Sequence, residues 1–470
     1  MTSIKDDIDQ KFRQVAIPYL EKYIAIKSLS PAFDPHWEES GEIARALELF
    51  SAFVGQLEIP GCVAWVSQIK GRTPALVIEV PPSSPEIVAP GVLLYGHLDK
   101  QPASGPWMEG TDPFEPHMRG DLLYGRGVVD DGYSIFAALL AIDALARRGL
   151  PYPRSVVIIE ASEESGSPDL SAHLDRAKEV LGEIGLVVCL DAGGLDFERV
   201  WVTTSLRGNL VIRVNVKVLE HGVHSGEAGG VVPSSFRILR QLLSRIEDER
   251  TGELIPQLLR PEIPQFFIDG ANALDSQLRD PLARAFPIVD GLALDGDGAQ
   301  RILAQTWKSS LSAIGISGIP DVDEGGNVLR ANTQLKISLR IPPSVDPLAA
   351  QDAIVELLSN DPPYGALVEI ECEEPAAGWV ANIPAPWLMD ALSRGSQDAF
   401  GKDPGFCGEG GSIPFLAMLG ERFPTAQFVA TGALGPGSNA HGPNESLNIA
   451  FASGICTVVG HLLIAASLCE

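Results

Sequence analysis

The chain has 470 residues, 45% of them hydrophobic, which is more than one core usually organises and ample for two. Its 61 acidic and 35 basic side chains leave a net charge of -26, which repels nucleic acid and anionic lipid and excludes both as partners. Six scattered cysteines without a Cys-x-x-Cys pair read as free thiols of a reducing compartment. The start MTSIKDDIDQ lacks a basic-then-apolar leader, and no uncharged apolar run is read as reaching membrane-spanning length, so the expectation is a cytoplasmic protein.

In chain order, Ile8, Phe12, Ala16, Tyr19, Leu20 and Tyr23 fall at helical spacing within residues 6–29, and a second helix is predicted over 37–55. Three β-rich runs follow near 62–68, 75–80 and 91–96, with the Pro-rich stretch from Pro81 to Pro90 as a surface loop. An apolar helix is predicted from about Tyr133 to Arg148, then the strand SVVIIEA at 155–161, a helix near 169–182 and the strand LVVCLD ending at Asp191. This alternation predicts an α/β layer with a mostly parallel sheet sandwiched by helices.

From about Gly208 the texture changes. LVIRVNVKV and TQLKISLRI, at 333–341, alternate as antiparallel strands do, and 233–248 reads as helix, so a small α+β unit is expected. The α/β texture returns after about Ile383, with a helix near 386–400, the strand TAQFVATG at 425–432 and a closing helix from Ile449. The expected organisation is one domain of residues 1–206 and 384–470 with a second, 207–383, inserted into it.

A surplus of acid carries chemical meaning only where carboxylates gather. His97 and Asp99 end the strand VLLYG, Asp130 precedes a helix, Glu163 and Glu164 follow SVVIIEAS, and Asp191 ends LVVCL. These are the strand ends and following loops where α/β folds build clefts. His441 sits in the glycine-rich GPGSNAHGPNE. Asp130, Glu164 and Asp191 carry three negative charges and two divalent ions four positive ones, a balance that a bridging hydroxide completes. A lone His or Asp at a strand end is more often a hydrogen-bonded structural residue, so the reading rests on the set.

GRGVVDDG imitates a dinucleotide loop, but Asp130 replaces its third glycine and would face a pyrophosphate with like charge. There is no G-x-S-x-G, P-loop or H-E-x-x-H, and His36, His117, His173 and His461 have no catalytic context.

In order, GHLDKQP, GRGVVDDG, ASEESGS, LDAGG, HSGEAGG, GGSIP and GSNAHGPNE resemble the co-catalytic dinuclear metallopeptidase family of carnosinases, cytosolic non-specific dipeptidase, acetylornithine deacetylase and succinyl-diaminopimelate desuccinylase. The resemblance spans about residues 90 to 450 and is nearest to the carnosinase-like dipeptidases. It implies two divalent ions per subunit, Zn²⁺ or Mn²⁺, held by His97 and His441 with Asp130 bridging and Glu164 and Asp191 completing the set. Asp99 would orient His97, and Glu163 would be the general base. The inserted unit would be a lid and dimerisation domain, from which His224 would reach the partner subunit's site to stabilise the oxyanion.

Arg340 would clamp the substrate carboxylate, with Asn327, Ser412 and Glu409 as further substrate contacts. Arg330 and Gly408 depart from the carnosinase-like pattern without touching a proposed ligand. In this family Asp at the place of Asp191 goes with peptidases, so the implied reaction is metal-dependent hydrolysis of dipeptides or short peptides with a free carboxyl end. The alternatives are an N-acyl or N-carbamoyl amino acid hydrolase on the same metals and a catalytically silent metal-binding protein.

Overall fold

The computed structural model describes residues 3–469 apart from Ala285, Pro287 and Ser412. The chain divides into two compact units. The first comprises Met1–Thr204, Ala381–Cys407 and Met418–Glu470, and the second comprises Ser205–Val380 and Gly408–Ala417. The segment from Gly408 to Ala417, which the sequence pattern groups with the first unit, clusters with the second.

The principal strands are β1 (Val63–Ser67), β2 (Ala75–Val80), β3 (Gly91–His97), β4 (Ser155–Glu160), β5 (Ile184–Cys189), β6 (Trp201–Leu206), β7 (Gly208–Lys217), β8 (Ser310–Ser317), β9 (Asn332–Ile341), β10 (Leu367–Cys372) and β11 (Gln427–Ala430). In the first unit they run in the order β1-β2-β4-β3-β5-β11-β6. The four central strands β4, β3, β5 and β11 are parallel, while β1, β2 and β6 join antiparallel, so the sheet is mixed around a parallel centre. Every residue of β3 and β4 is buried, as apolar runs covered on both faces require.

The helix Ser134–Arg148 is buried at every position from Ser134 to Leu145, which its SIFAALLAIDAL composition permits. Phe136 at its start packs on Phe53, with ring centroids 4.5 Å apart, and on Phe50, 5.8 Å away edge to face. The periodic segment at the N-terminus forms Ile4–Lys11 and Ile17–Ile24, joined by a π-helical turn over Phe12–Ala16. Contrary to the reading of the sequence, the closing helix Ile449–Ala466 is long and apolar enough to cross a membrane, but 78% of that window is buried as a core helix.

The second unit has a four-stranded antiparallel sheet in the order β8-β9-β7-β10. Leu210, Ile212, Val214 and Val216 of β7 and Leu335, Ile337, Leu339 and Ile341 of β9 are buried, and the helices Ser235–Leu243 and Pro347–Ser359 add Ile238, Leu242, Ile354 and Leu358 to the same core. The outer strand β8 is largely exposed, including Ile314 and Ile316. Strands β6, β8 and β10 were not anticipated from the sequence pattern.

Replacing Phe136 with Ala should destabilise the first unit by about 3–5 kcal/mol through the cavity left among Phe50, Phe53 and Tyr19. The midpoint of denaturant unfolding, followed by near-ultraviolet circular dichroism, measures it; an unshifted midpoint would show that the aromatic cluster is not a packing centre.

Candidate metal centre

Parallel pairing of β4, β3 and β5 brings their carboxyl ends to one edge, with His97 opposite Glu160 and Tyr95 opposite Cys189. The chain past each of these ends carries the donors: His97 closes β3, Glu163 and Glu164 form a short 3-10 turn after β4, and Asp191 lies two residues past β5. Asp130 arrives on the loop before the helix Ser134–Arg148. Gly96 lets that helix start close behind the site, since a Cβ there would lie 2.1 Å from Ser134 Oγ. His441 adopts φ +62° in the loop before the closing helix.

These elements assemble two groups of donor atoms, His97 with Asp130 and Asp191, and Asp130 with Glu164 and His441. Within each group the donor atoms lie within 4.8 Å of one another, and Asp130 belongs to both. His97 Nε2 is 3.2 Å from Asp130 Oδ1 and 3.6 Å from Asp191 Oδ2. His441 Nε2 is 2.9 Å from Asp130 Oδ2 and 3.2 Å from Glu164 Oε2. One carboxylate thus presents an oxygen to each imidazole, and imidazole nitrogens with carboxylate oxygens are the donor set that Zn²⁺ and Mn²⁺ accept.

Asp99 is buried behind this cluster, 3.4 Å from His97 Nδ1 through Oδ1. Its two carboxylate oxygens accept the backbone N–H groups of Glu163 and Glu164 at 3.1 and 3.0 Å. It therefore fixes the Glu163–Glu164 turn as well as facing the imidazole. Three further residues at the cluster escaped the sequence reading. Gln101 Nε2 donates to Glu164 Oε2 at 2.7 Å, Asp131 Oδ2 accepts the His97 N–H at 3.2 Å, and Glu445 accepts the N–H of Asp130 at 3.4 Å. Their letters stand inside the motifs, but nothing in a linear pattern marks them as supports.

His224, Asn327, Arg340 and Glu409 belong to the second unit. His224 pairs with Val328 in a short antiparallel ladder, and the neighbouring Ser225 N–H donates to Asn327 O at 2.9 Å, so His224 and Asn327 are adjacent. The exposed His224 accepts the Gly226 N–H at Nδ1, which places the proton of the neutral ring on Nε2. Arg340 is half-buried on β9, between Asn209 and Ser310 of the flanking strands. Glu409 ends the strand Gly405–Glu409. Ser412 lies outside the described residues.

Residues 93–464 match the model of peptidase family M20/M25/M40. The chain belongs to that family. Among similar proteins, a cysteinylglycine-S-conjugate dipeptidase of Corynebacterium striatum is 27% identical over 374 residues, covering 77% of each chain. The Cys-Gly metallodipeptidase DUG1 of Candida albicans is 25% identical over 483 residues, covering 97% of this chain and 96% of its own. The solved structure of human carnosine dipeptidase 1 shares the fold, with a TM-score of 0.71 at 22% identity over 99% of this chain and all of its own. Membership of M20/M25/M40 makes this chain a hydrolase of the metallopeptidase class that uses divalent metal.

The electrostatics of the donor cluster fit that assignment. Burial, reinforced by Asp130, Asp131 and Glu163 against the opposing charge of His97, pushes Asp191 well above the usual carboxylate range. Burial likewise raises Glu163 and Glu164. Burial also disfavours ionised Asp130, but hydrogen bonds from His441 and His97 outweigh it and hold this carboxyl below its ordinary range. Burial works against a charge on His97, yet hydrogen bonds to Asp130 and Asp99 and the charge of Asp191 hold it well above the imidazole range. A divalent cation supplies the positive charge that bound protons otherwise provide.

The metal-free protein should therefore lose stability with rising pH. His441 is pushed up to about 10, first by its hydrogen bonds with Asp130 and Glu164. A raised folded-state pKa means stability fully present below the unfolded value, about 6.5, and lost as pH climbs through the folded one. The raised carboxyls act with the same sign. Thermal melts of chelator-treated protein should fall in Tm over this window; a Tm that holds or rises would contradict the charge balance.

Proposed function

We propose that this M20/M25/M40 member hydrolyses the peptide bond of dipeptides or short peptides with a free C-terminal carboxylate. The observation that carries the reading is the pair of donor groups sharing Asp130, with Glu163 beside them. The Cys-Gly and cysteinylglycine-conjugate substrates in the names of its relatives support dipeptides as the class.

In this reading His97, Asp130 and Asp191 would hold one ion and Asp130, Glu164 and His441 the other, with Zn²⁺ and Mn²⁺ both suited to the donors. When bound, such ions acidify water towards a pKa of about 7 and polarise the carbonyl to be attacked. Asp99 orients His97 and holds the Glu163 backbone by its N–H. Glu163 takes the proton of the attacking water and delivers it to the leaving amine. Burial, augmented by Glu164, Asp99 and Asp130 and opposed by His97, raises its affinity for that proton, as a group that must both take and return it requires.

His224, with its proton on Nε2, donates to the oxyanion across a homodimer, and the exposed apolar outer strand β8 supports association through the second unit. That unit, about residues 207–383 of the sequence, acts as lid and dimerisation domain. Arg340 clamps the substrate carboxylate; the adjacent guanidinium of Arg207 lends positive potential to that place. Asn327, Ser412 and Glu409 supply further substrate contacts. A reducing, cytoplasmic setting accords with six cysteines scattered along the sequence without a Cys-x-x-Cys pair.

Glu163→Gln should leave the bound metal unchanged by elemental analysis while turnover of Cys-Gly falls by about 10²–10⁴-fold; undiminished turnover would remove Glu163 as the base. A panel of dipeptides beside N-acetyl and N-succinyl amino acids, run after chelation and re-addition of each metal, tests the substrate class. Cleavage of the N-acyl set alone would transfer the reading to a deacylase, and no cleavage by metal-replete protein would leave a silent metal binder.

A further inference from the structure

Asp130 and His441 stand far apart in sequence, on irregular loops that leave and enter the antiparallel ladder pairing Leu122–Tyr124 with Ser446–Asn448. Beyond the end of that ladder a carboxylate and a guanidinium tie the two loops to each other. Glu445 Oε2 accepts Arg126 Nη1 at 2.6 Å and the Gly127 N–H at 3.0 Å. Its Oε1 accepts the Val129 N–H at 3.2 Å and the Asp130 N–H at 3.4 Å. The other arm of Arg126, Nη2, donates to the carbonyl of Gly442, the residue after His441, at 2.8 Å. The backbone N–H of Gly125 closes the ring onto Glu445 O at 3.1 Å.

Both side chains are at most 1% exposed. The turn they grip is itself constrained: Gly127 has φ +80°, and a Cβ there would lie 2.6 Å from Cε of the buried Lys100. Lys100 in turn donates to the carbonyls of Tyr23 and Ile26 at 2.7 Å each. The Asp130 loop is thus fixed from one side by a lysine stem and from the other by the Glu445 carboxylate.

We infer that Glu445 and Arg126 are positioning residues of the metal centre, which set the shared ligand Asp130 and the single-group ligand His441 as one unit; this rests on the ligand assignment proposed above. The two residues do different parts of the work. Glu445 fixes the backbone of Asp130, which serves both donor groups, whereas the second arm of Arg126 reaches only the His441 loop. A planar fork is needed for that double grip, and a lysine cannot reproduce it.

Metal retention separates this role from mere stabilisation. Metal-loaded wild type, Glu445→Gln, Arg126→Lys and Asp143→Asn are dialysed against a competing chelator well below every variant's Tm, and bound Zn²⁺ or Mn²⁺ is counted by elemental analysis. Asp143 is a buried carboxylate paired with Lys11 and Arg147 and supplies the matched control. Glu445→Gln should weaken retention of both ions by about 10–100-fold, the usual effect of losing a residue that orients a ligand. Arg126→Lys should lose chiefly the ion of the His441 group, and Asp143→Asn should lower Tm with retention unchanged.

Wild-type retention in Glu445→Gln and Arg126→Lys would overturn the inference, as would equal loss in Asp143→Asn. A wild type that binds no ion would instead overturn the ligand assignment beneath it. Should Glu445→Gln not fold, the asymmetric loss in Arg126→Lys decides the matter by the same criterion.

Discussion

Like charges taken out of water at one point repel, and the first unit gathers the carboxylates of Asp130, Glu164 and Asp191 at such a point. The Glu164 side chain is 4% exposed and that of Asp191 9%, so solvent screens them little. Only a scaffold stable for other reasons can hold them there. The core beneath, from the helix Ser134–Arg148 to the buried closing helix, supplies that stability without help from the cluster.

The surrounding acids divide into two kinds by what they accept. Asp99 takes two backbone N–H groups, Glu445 takes three and a guanidinium, and Glu160 takes the hydroxyls of Tyr95, Ser162 and Ser167. These carboxyls are supplied with neutral or cationic donors by the fold itself. Asp130, Glu164 and Asp191 instead turn to the two imidazoles, with Glu164 taking one amide donor from Gln101 besides. Their donor atoms gather in two groups that share Asp130, an arrangement that cations satisfy and a purely structural network does not need.

Much of this was legible in the sequence because α/β folds place polar groups at the carboxyl ends of parallel strands, and VLLYGH, SVVIIE and LVVCLD mark such ends by their apolar runs. The alternation in β7 and β9 likewise declared a sheet with one covered face. Strand β8 was not legible: the alternation of SLSAIGIS changes phase between Ala313 and Ile314, where its pairing with β9 is interrupted. Gln101 and Glu445 escaped for another reason. Their function lies in hydrogen bonds to groups 63 and more than 300 positions away, and separations of that kind leave no local pattern.

The acidic doublets show where linear reading must give way to geometry. Asp130 and Asp131 are identical side chains on neighbouring residues, yet Asp130 meets both imidazoles while Asp131 turns back to accept the His97 N–H. Glu163 and Glu164 part in the same way. The carboxylate of Glu164 meets His441 and Gln101, whereas Glu163 lies in the field of Glu164, Asp99 and Asp130 without belonging to either donor group. Consecutive residues on a tight turn aim their side chains differently, so each doublet contributes one donor to the cluster and one group beside it. The anchoring of both Glu163 and Glu164 N–H groups by Asp99 keeps these directions from interchanging. The proposed base and the proposed ligand are thereby held in adjacent positions of one short turn.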